Sequence, residues 1–322
     1  MKKKVGIIGA AGYSGGELVR LLLFHPNVEL TYAFSRSQAG KPVASVHNDL
    51  VGDTNLVFTD QVHTDIDVLF LALPHGQAKG FLEKHQFNPD TIIIDLSNDF
   101  RLKKDAGKFV YGLPEFQRNK IRTAKYVANA GCFATGIQLG LLPLAHAELL
   151  TSEIHISSIT GSTGAGVSLS PTNHFAWRDS NISTYKVFDH QHLDEIKETL
   201  SALQKDFSTE IYFTPHRGDF TRGIFSSIYT KFEGTTEDAQ QLYSNYYKEH
   251  PFTHVVDTNP NLKQVVNTNK CILYPIVKKG QINIVSIVDN LIKGASGSAV
   301  QNLNILMGWD ETMGLKLKAS VY

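Results

Sequence analysis

Cys132 is the side chain of this sequence best suited to nucleophilic chemistry. It follows a glycine in the motif NAGCFATG at residues 129–136, and the apolar run after it, 137–145, is typical of a buried helix. A thiol at the start of a helix faces unpaired backbone N–H groups and the positive end of the helix dipole. Such a position can lower a thiol pKa from about 8.5 into the neutral range. The alternative is a small buried side chain with an inert thiol.

His216 is the candidate for acid–base chemistry. It stands in the segment FTPHRGDFTRG (213–223), which follows one predicted strand and precedes another. A thiol nucleophile needs a base to remove its proton and an acid in a later reduction step, and histidine suits both roles near neutral pH. A single histidine in a loop is usually structural, so spacing alone does not assign this role.

The other histidines do not form a metal-binding pattern. His190, His192 and Glu195 bring several possible ligands together, but their spacing is equally typical of the entry into a helix. Glu195 is then a capping or surface partner of His192. The sequence contains neither Cys-x-x-Cys nor His-Glu-x-x-His. We therefore expect no metal site.

A dinucleotide-binding pattern occupies the start of the chain. A short apolar strand at 5–8 leads into Gly-x-x-Gly-x-x-Gly at 9–15, and a predicted helix covers 17–24. This order suits a cofactor site, because glycines let the backbone approach a pyrophosphate that rests on the helix N-terminus. Glycine turns also follow strands that bind nothing, so the context carries the prediction. The expected cofactor-binding residues here are Gly9, Ala10, Gly12, Tyr13, Ser14 and Gly15.

The end of the second predicted strand, 28–34, indicates which dinucleotide binds. Ser35 and Arg36 stand about 20 residues past the glycines, where an NAD site usually carries Asp or Glu for the ribose. A hydroxyl and a guanidinium suit a 2′-phosphate instead, since Arg offers a planar fork of donors. The sequence therefore favours NADP(H) over NAD. The alternative for Arg36 is a solvated side chain in a turn.

Two further loops follow predicted strands of the same sheet. Pro74 follows the strand that ends at Leu73, and Arg101 lies in the loop after the next strand. Ligands of open parallel sheets gather at the carboxyl ends of the strands. We therefore expect Pro74 beside the cofactor and Arg101 as a clamp for an anionic group of the substrate. The alternative for Arg101 is a salt bridge with Asp99 or Asp105.

Composition narrows the class of protein. The 322 residues suffice for about two domains. Lys+Arg and Asp+Glu balance at 31 each, so nothing indicates nucleic acid or an anionic membrane as a partner. No apolar run reaches the ~20 residues of a membrane span. Two cysteines in different contexts argue against a disulfide framework and for a reducing compartment, so we expect a cytoplasmic protein. We expect its partner to be a small-molecule substrate.

The predicted elements indicate an α/β fold with two domains. Strands and helices alternate up to about residue 149, and longer β runs follow. We expect a Rossmann domain at 1–131 and a mixed α+β domain at 132–293, with the boundary just before Cys132. The glycine-rich stretch 161–166 lacks the lysine of a P-loop and is not interpreted as a second nucleotide site.

Several motifs, in order along nearly the whole chain, resemble the N-acetyl-gamma-glutamyl-phosphate reductase family of semialdehyde dehydrogenases. They are GAAGYSGGEL (9–18), LPHG (73–76), DLSNDFR (95–101), YGLPE (111–115), NAGC (129–132), TPH (214–216), TRGI (221–224), DNLIKGASG (289–297) and AVQN (299–302).

The resemblance implies an activity and a set of roles. It implies NADPH-dependent reduction of an N-acyl-gamma-glutamyl phosphate to the semialdehyde through a cysteine thioester, as a step of arginine biosynthesis. Cys132 would be the nucleophile and His216 the acid–base group. The implied fold is of the glyceraldehyde-phosphate dehydrogenase kind, with a C-terminal helix (294–322) completing the nucleotide domain, and homo-oligomers, dimers or tetramers, are usual. The remaining residues that we assign to the two sites are Asn290 and Gly294 for the cofactor, and Arg101, Asn129, Arg217 and Arg222 for the substrate.

The chain departs from the family pattern at three places, and none of them removes a catalytic group. Ala130 stands where proline is usual, Ser298 stands where glutamine is usual, and 217–220 is more polar than expected. The last lies beside His216 and leaves open whether the N-acyl group is acetyl or succinyl. A succinyl carboxylate would suit Arg217. The alternative is an Arg217–Asp219 surface pair, which would contribute little.

Two other functions remain open. Aspartate-semialdehyde dehydrogenase shares the cysteine, the histidine and NADP, but differs typically around the cysteine. A non-catalytic NADP sensor would have no need of both Cys132 and His216.

Overall fold

The computed structural model describes residues 1–321 and divides the chain into two compact units. The first unit contains residues 1–131 and 295–316, and the second contains residues 132–294 and the chain from residue 317 onward. Within the described range, no helix has both the length and the apolar character to cross a membrane.

The first unit is built on a seven-stranded sheet, whose strands are β1 (Lys3–Ile8), β2 (Val28–Phe34), β3 (Phe58–Thr59), β4 (Val68–Leu71), β5 (Ile92–Asp95), β6 (Val110–Gly112) and β7 (Tyr126–Asn129). The spatial order is β3-β2-β1-β4-β5-β7-β6, and all neighbours are parallel. The chain winds outward from β1 in both directions, so the order reverses between β1 and β4. Open parallel sheets bind ligands at the carboxyl edge of such a reversal.

Helices connect these strands: α1 (Tyr13–Leu23), α2 (Ala78–Lys84), α3 (Lys103–Ala106) and α4 (Pro114–Arg122), with short 3₁₀ turns at Val43–Ser45 and Asn48–Leu50. Helix α1 begins four residues earlier than the predicted start. Gly12 is extended, and its carbonyl accepts the N–H of Gly16 at 2.8 Å. The glycines of this first turn allow close packing, since a Cβ on Gly15 would lie 2.3 Å from the Gly9 carbonyl oxygen.

The second unit contains another seven-stranded sheet, made of β8 (Ile154–Thr160), β9 (Ser183–Thr184), β10 (Ile211–Arg217), β11 (Ile224–Lys231), β12 (Thr253–Val255), β13 (Cys271–Lys278) and β14 (Gln281–Val288). Its order is β12-β13-β14-β11-β8-β10-β9. The pairs β12–β13 and β8–β10 are parallel and the others are antiparallel. The expectation of a parallel α/β unit and a mixed α+β unit is confirmed.

The helices of the second unit are α5 (Cys132–His146), α6 (Phe175–Arg178), α7 (His192–Leu203) and α8 (Thr236–Tyr247), with 3₁₀ turns at Ser162–Ala165, Pro171–Asn173 and Leu262–Gln264. Helix α5 is buried from Phe133 to Ala145 and packs on β11, β13, β14, α7 and α8. Glycine permits this packing, because a Cβ on Gly140 would lie 2.7 Å from Cδ1 of Ile228.

A proline in the last turn of α5 leaves a carbonyl group without its helical partner. Pro143 has no N–H, so the carbonyl of Leu139 loses the hydrogen bond that a helix normally supplies four residues later. The hydroxyl of Tyr247 on α8 donates to this carbonyl at 2.5 Å, and Tyr243 donates to the next one, Gly140, at 2.6 Å. Two tyrosines of α8 therefore stabilise α5 where its sequence is least helical.

After β14 the chain forms a π-helical turn at Ile292–Ser296, and helix α9 (Gly297–Leu306) follows in the first unit. There it packs on α1, α4 and β7. The expected C-terminal helix at 294–322 is much too long. The helix ends at Leu306 because Gly308 adopts a left-handed conformation (φ +67°), which terminates helices.

Candidate active site

Cys132 is the first residue of α5, and it is partly exposed. The N–H groups of a first helical turn have no partner within the helix, and they favour negative charge on the thiol and on an oxygen bound beside it. Gly294, in the π-helical turn, lies directly against the Cα and Cβ atoms of Cys132. A Cβ there would approach the Cβ of Cys132 to 2.8 Å, so only glycine fits beside the nucleophile.

His216 is the second-last residue of β10. Its Nδ1 lies 3.3 Å from the carbonyl oxygen of Ser158 on the neighbouring parallel strand β8. This is the one hydrogen bond of its side chain to a described residue. A proton on Nδ1 would make Nε2 the basic nitrogen. The structure does not place His216 in hydrogen-bond contact with Cys132.

Two other histidines lie beside the start of α5. The ring of Phe133, which follows Cys132, is 5.4 Å from the ring of His190 and 6.2 Å from that of His192, centroid to centroid. Phe213 on β10 completes the cluster at 5.2 Å from Phe133. The sequence analysis weighed these histidines as metal ligands and as residues at the entry into a helix, and assigned them no acid–base role. Among the described residues, no group of three or more side chains is arranged to hold a metal ion.

His192 and Glu195 form a pair in the first turn of α7. Nε2 of His192 lies 3.7 Å from Oε1 of Glu195, and both side chains are buried. This distance is longer than a hydrogen bond, and a carboxylate beside an imidazole orients the ring, as in a histidine general base. His190 differs, because burial, followed by the charges of Lys186 and Arg217, lowers its pKa to about 4. His190 is therefore neutral near pH 7.

The glycine turn of the first unit fits a dinucleotide. Gly9 has a φ of +83°, and a Cβ on it would lie 2.3 Å from the carbonyl oxygen of Ala72, at the end of β4. A Cβ on Gly12 would meet only the Gly9 carbonyl oxygen, at 3.6 Å. Gly12 supplies no side-chain cap to α1. The backbone at the start of α1 is therefore closely packed and carries no capping side chain, which suits a pyrophosphate. Ala10, Tyr13, Ser14 and Gly15 belong to the same turn.

Ser35 and Arg36 follow β2 as the sequence indicates. The Ser35 side chain is buried with its Oγ 3.5 Å from that of Ser37, and Arg36 is exposed, with its guanidinium 6.0 Å from the ring of Phe34. Arg36 has no hydrogen bond or ion pair with a described residue. The guanidinium is therefore available for a phosphate.

Pro74 is exposed in the loop after β4. Asp99, from the loop after β5, holds this loop by accepting the N–H groups of Gly76, Ala78 and Lys79 at 2.6, 2.9 and 3.2 Å. The carboxylate caps the start of α2 in this way. Asp99 therefore serves the loop rather than Arg101.

Arg101 and Asn129 are bonded to protein groups. Nε of Arg101 donates to the carbonyl of Asn129 at 2.9 Å, and Nη2 donates to that of Leu96 at 2.8 Å. The Asn129 amide donates to the carbonyl of Ala295 and accepts from Asn302, both at 3.0 Å. Both side chains are buried, so the structure gives them a role in fixing the chain that leads to Cys132. Contact with substrate phosphate stays a prediction.

Asn290 and Arg222 are likewise occupied within the second unit. Asn290 accepts the N–H of Gly223 at 2.7 Å and donates to the hydroxyl of Thr163 at 3.0 Å. Arg222 binds the buried carboxylate of Asp289 with Nε and Nη2, at 3.2 and 3.3 Å. These bonds explain both residues structurally, and their cofactor and substrate roles stay predictions. Arg217, in contrast, has no acidic partner among the described residues.

Family models match both units of the chain. Residues 4–124 match the semialdehyde dehydrogenase NAD binding domain, and residues 132–290 match the semialdehyde dehydrogenase dimerisation domain.

Solved structures with the same fold are distant in sequence. Aspartate semialdehyde dehydrogenase II from Vibrio cholerae superposes with a TM-score of 0.77 at 14% identity, covering 96% of this chain and 99% of that one. The Candida albicans aspartate semialdehyde dehydrogenase with NADP gives 0.72 at 16% identity, over 95% and 99% of the two chains. These likenesses establish the fold.

Curated relatives are much nearer. Proteins named N-acetyl-gamma-glutamyl-phosphate reductase share 53% identity in Flavobacterium johnsoniae, over 98% of both chains, and 51% in Christiangramia forsetii, over 99% of both. The Bacteroides thetaiotaomicron protein of this name shares 52%, again over 99% of both chains. The chain therefore belongs to the N-acetyl-gamma-glutamyl-phosphate reductase family of semialdehyde dehydrogenases.

Proposed function

We propose that this protein reduces an N-acyl-gamma-glutamyl phosphate to the N-acyl-glutamate 5-semialdehyde and inorganic phosphate, with NADPH, as a step of arginine biosynthesis. The observation that carries the proposal is the partly exposed Cys132 at the start of α5, whose neighbour Phe133 packs against the ring of His192, a member of a buried histidine–carboxylate pair. Family membership supports the choice of substrate class.

The first half-reaction belongs to Cys132. The thiolate attacks the acyl carbon, the S–C bond forms, and the N–H groups at the start of α5 stabilise the oxyanion. The C–O bond to the phosphoryl group then breaks, and phosphate leaves with that oxygen. The product is an acyl thioester on Cys132, and no oxidation state has changed.

The second half-reaction requires a proton donor. NADPH, when bound at the glycine turn and Arg36, supplies the hydride that reduces the thioester carbon. A histidine then protonates the developing oxyanion of the thiohemiacetal and later takes the proton back. The C–S bond then breaks, which releases the aldehyde product and regenerates the thiolate.

His192 suits this proton transfer better than His216 does. It lies against Phe133, next to the nucleophile, and Glu195 pairs with its Nε2. The exchanged proton would therefore move through Nδ1. His216 bonds to Ser158 instead, and its role rests on the sequence resemblance.

A homo-oligomer, dimer or tetramer, is the proposed assembly. The match of the second unit to a dimerisation domain supports it, and light scattering after gel filtration would measure the mass directly. A monomer at micromolar concentration would contradict the proposal.

Phosphate-dependent NADP⁺ reduction tests the activity in the reverse direction. We expect turnover with N-acylglutamate semialdehydes and little with aspartate semialdehyde, which separates this family from the enzymes that share its fold. A preference for aspartate semialdehyde would establish the rival function. NADP binding without turnover of either aldehyde would indicate a sensor.

A further inference from the structure

Arg217 lies on the face of β10 that packs toward the start of α5. Alternate residues of a strand share a face, so the Arg217 side chain leaves the sheet on the side of Pro215 and Phe213. Phe213 contacts Phe133, the residue after Cys132, on this side. The guanidinium therefore stands at the carboxyl end of β10, on the side of the nucleophile.

Tyr185 fixes the position of this guanidinium. The Tyr185 N–H donates to the carbonyl of Pro215 at 3.2 Å, which holds the segment alongside β10. Cζ of Arg217 lies 4.7 Å from the centroid of the Tyr185 ring, a cation–π arrangement. Burial raises the pKa of the Tyr185 phenol to about 12, and the charge of a Cys132 thiolate raises it further against the effect of Arg217. The phenol is therefore neutral near pH 7.

The charge of Arg217 is not balanced by the protein. Its Nε is buried and has no hydrogen-bond partner, and no described carboxylate lies within ion-pair distance of its guanidinium. Asp219, the partner that the sequence offered, instead accepts the N–H of Ser180 at 2.7 Å. An uncompensated, partly buried cation costs free energy that an anion would recover.

A second guanidinium strengthens the positive potential. Arg178 donates Nη1 to the carbonyl of Arg217 at 2.8 Å, and its other donors bind the carbonyl of Thr172. Burial, followed by the charge of Arg217, lowers the pKa of Arg178. Arg178 is occupied, so Arg217 is the group of this pair that can bind an anion.

We propose that the Arg217 guanidinium, supported by Tyr185, binds a carboxylate of the substrate. The proposal rests on the proposed function and deepens it. Two carboxylates have the required chemistry: the α-carboxylate of every N-acylglutamyl phosphate, and a second carboxylate at the end of a dicarboxylic N-acyl group such as succinyl. Arg binds either one through two parallel hydrogen bonds.

Three aldehydes distinguish these sources in the reverse assay. N-acetylglutamate semialdehyde carries the α-carboxylate, N-succinylglutamate semialdehyde carries both, and 4-acetamidobutanal carries neither. We expect Arg217→Gln to lower kcat/KM by about tenfold to a hundredfold, mainly through KM, for every aldehyde whose carboxylate Arg217 binds. Arg217→Lys, which keeps the charge without the planar fork, should lose less. Tyr185→Phe should keep most of the wild-type kcat/KM, since the aromatic ring that supports the guanidinium remains.

Each outcome decides the proposal. A loss confined to the succinyl substrate assigns the acyl carboxylate, and an equal loss for both glutamate semialdehydes that spares 4-acetamidobutanal assigns the α-carboxylate. Equal effects on all three aldehydes, or none, overturn the proposal. If the wild type turns over none of them, the proposed function fails. Calorimetric titration with N-succinylglutamate and N-acetylglutamate then tests the carboxylate site by itself. The proposal requires that at least one of these ligands binds less tightly to Arg217→Gln than to the wild type.

Discussion

Glu195 lies one helical turn after His192, and its Oε1 is 3.7 Å from Nε2 of the imidazole. Both side chains are buried at the start of α7, and the His192 ring packs against Phe133 in the first turn of α5. A carboxylate beside Nε2 orients the ring, and the proton exchange that we propose for His192 uses the opposite nitrogen, Nδ1.

His192→Gln should lower kcat by about a hundredfold to ten-thousandfold, the usual contribution of a general acid–base group. His216→Gln is the informative comparison, because it should change kcat little if His216 has only a structural role. His155→Gln, on the same sheet, serves as a control for the change of side chain. A larger loss of kcat in His216→Gln than in His192→Gln would return the acid–base role to His216.

Cys132→Ser should fold and bind NADPH but lose turnover, since a hydroxyl is far less ionised than a thiol near neutral pH. Cys271→Ser is the matched control, because Cys271 is fully buried, 3.7 Å from the Ser286 hydroxyl. Iodoacetamide followed by peptide mass spectrometry should label Cys132 well before Cys271. Equal labelling rates, or an active Cys132→Ser enzyme, would refute the assignment.

Arg36→Ala should weaken NADPH binding and leave NADH binding nearly unchanged. The lost charge-assisted contact with a 2′-phosphate should cost about 1.5–3 kcal/mol. Fluorescence titration of both cofactors measures the difference, with Arg122→Ala, an exposed arginine at the end of α4, as the control. A wild-type preference for NADH would contradict this interpretation.

Tyr247→Phe should destabilise the protein without altering the active site. It removes the donor to the Leu139 carbonyl, and a buried carbonyl without a partner costs about 1–3 kcal/mol. Urea unfolding gives the difference, and substitution of Tyr229, a residue that is 44% exposed, by phenylalanine should change stability little. Equal effects of the two substitutions would show that the Pro143 site needs no external donor.

His190 makes stability depend on pH. Its pKa is lowered by burial to about 4, whereas histidine in an unfolded chain titrates near 6.5. The unfolded state therefore binds more protons between these values, and stability should fall as pH drops from 6.5 toward 4. His190→Phe, which keeps a ring among Phe133 and Phe213, should flatten this part of the profile. If the urea midpoints of wild type and variant change by the same amount between pH 7 and pH 5, His190 is not the source of the pH dependence.

The elements that carry strong local patterns were predictable from sequence. Strand β2 has the predicted bounds, and the glycine turn leads from β1 into α1 as expected. The helix that the resemblance implies at 294–322 has the wrong end, because Gly308 adopts a left-handed conformation just after Leu306 and terminates α9.

The site was predictable only where one residue type carries the chemistry. Cys132 and Arg36 are such cases. His192 and Glu195 were interpreted as a cap or surface pair, although a spacing of three residues on a helix places both on one face. Arg101 and Asn129 were given phosphate roles, because nothing in the sequence reveals that their partners would be the carbonyls of Leu96 and Ala295.

Cys132 is partly exposed, whereas Cys271, the only other cysteine of the chain, is sealed within the second unit. A peroxide that reaches the nucleophile would convert it to a sulfenic acid. While the fold is intact, Cys271 cannot condense with that group to form a protective disulfide. Recovery then depends on an external thiol, and without one the next oxidation, to the sulfinic acid, removes the enzyme from use.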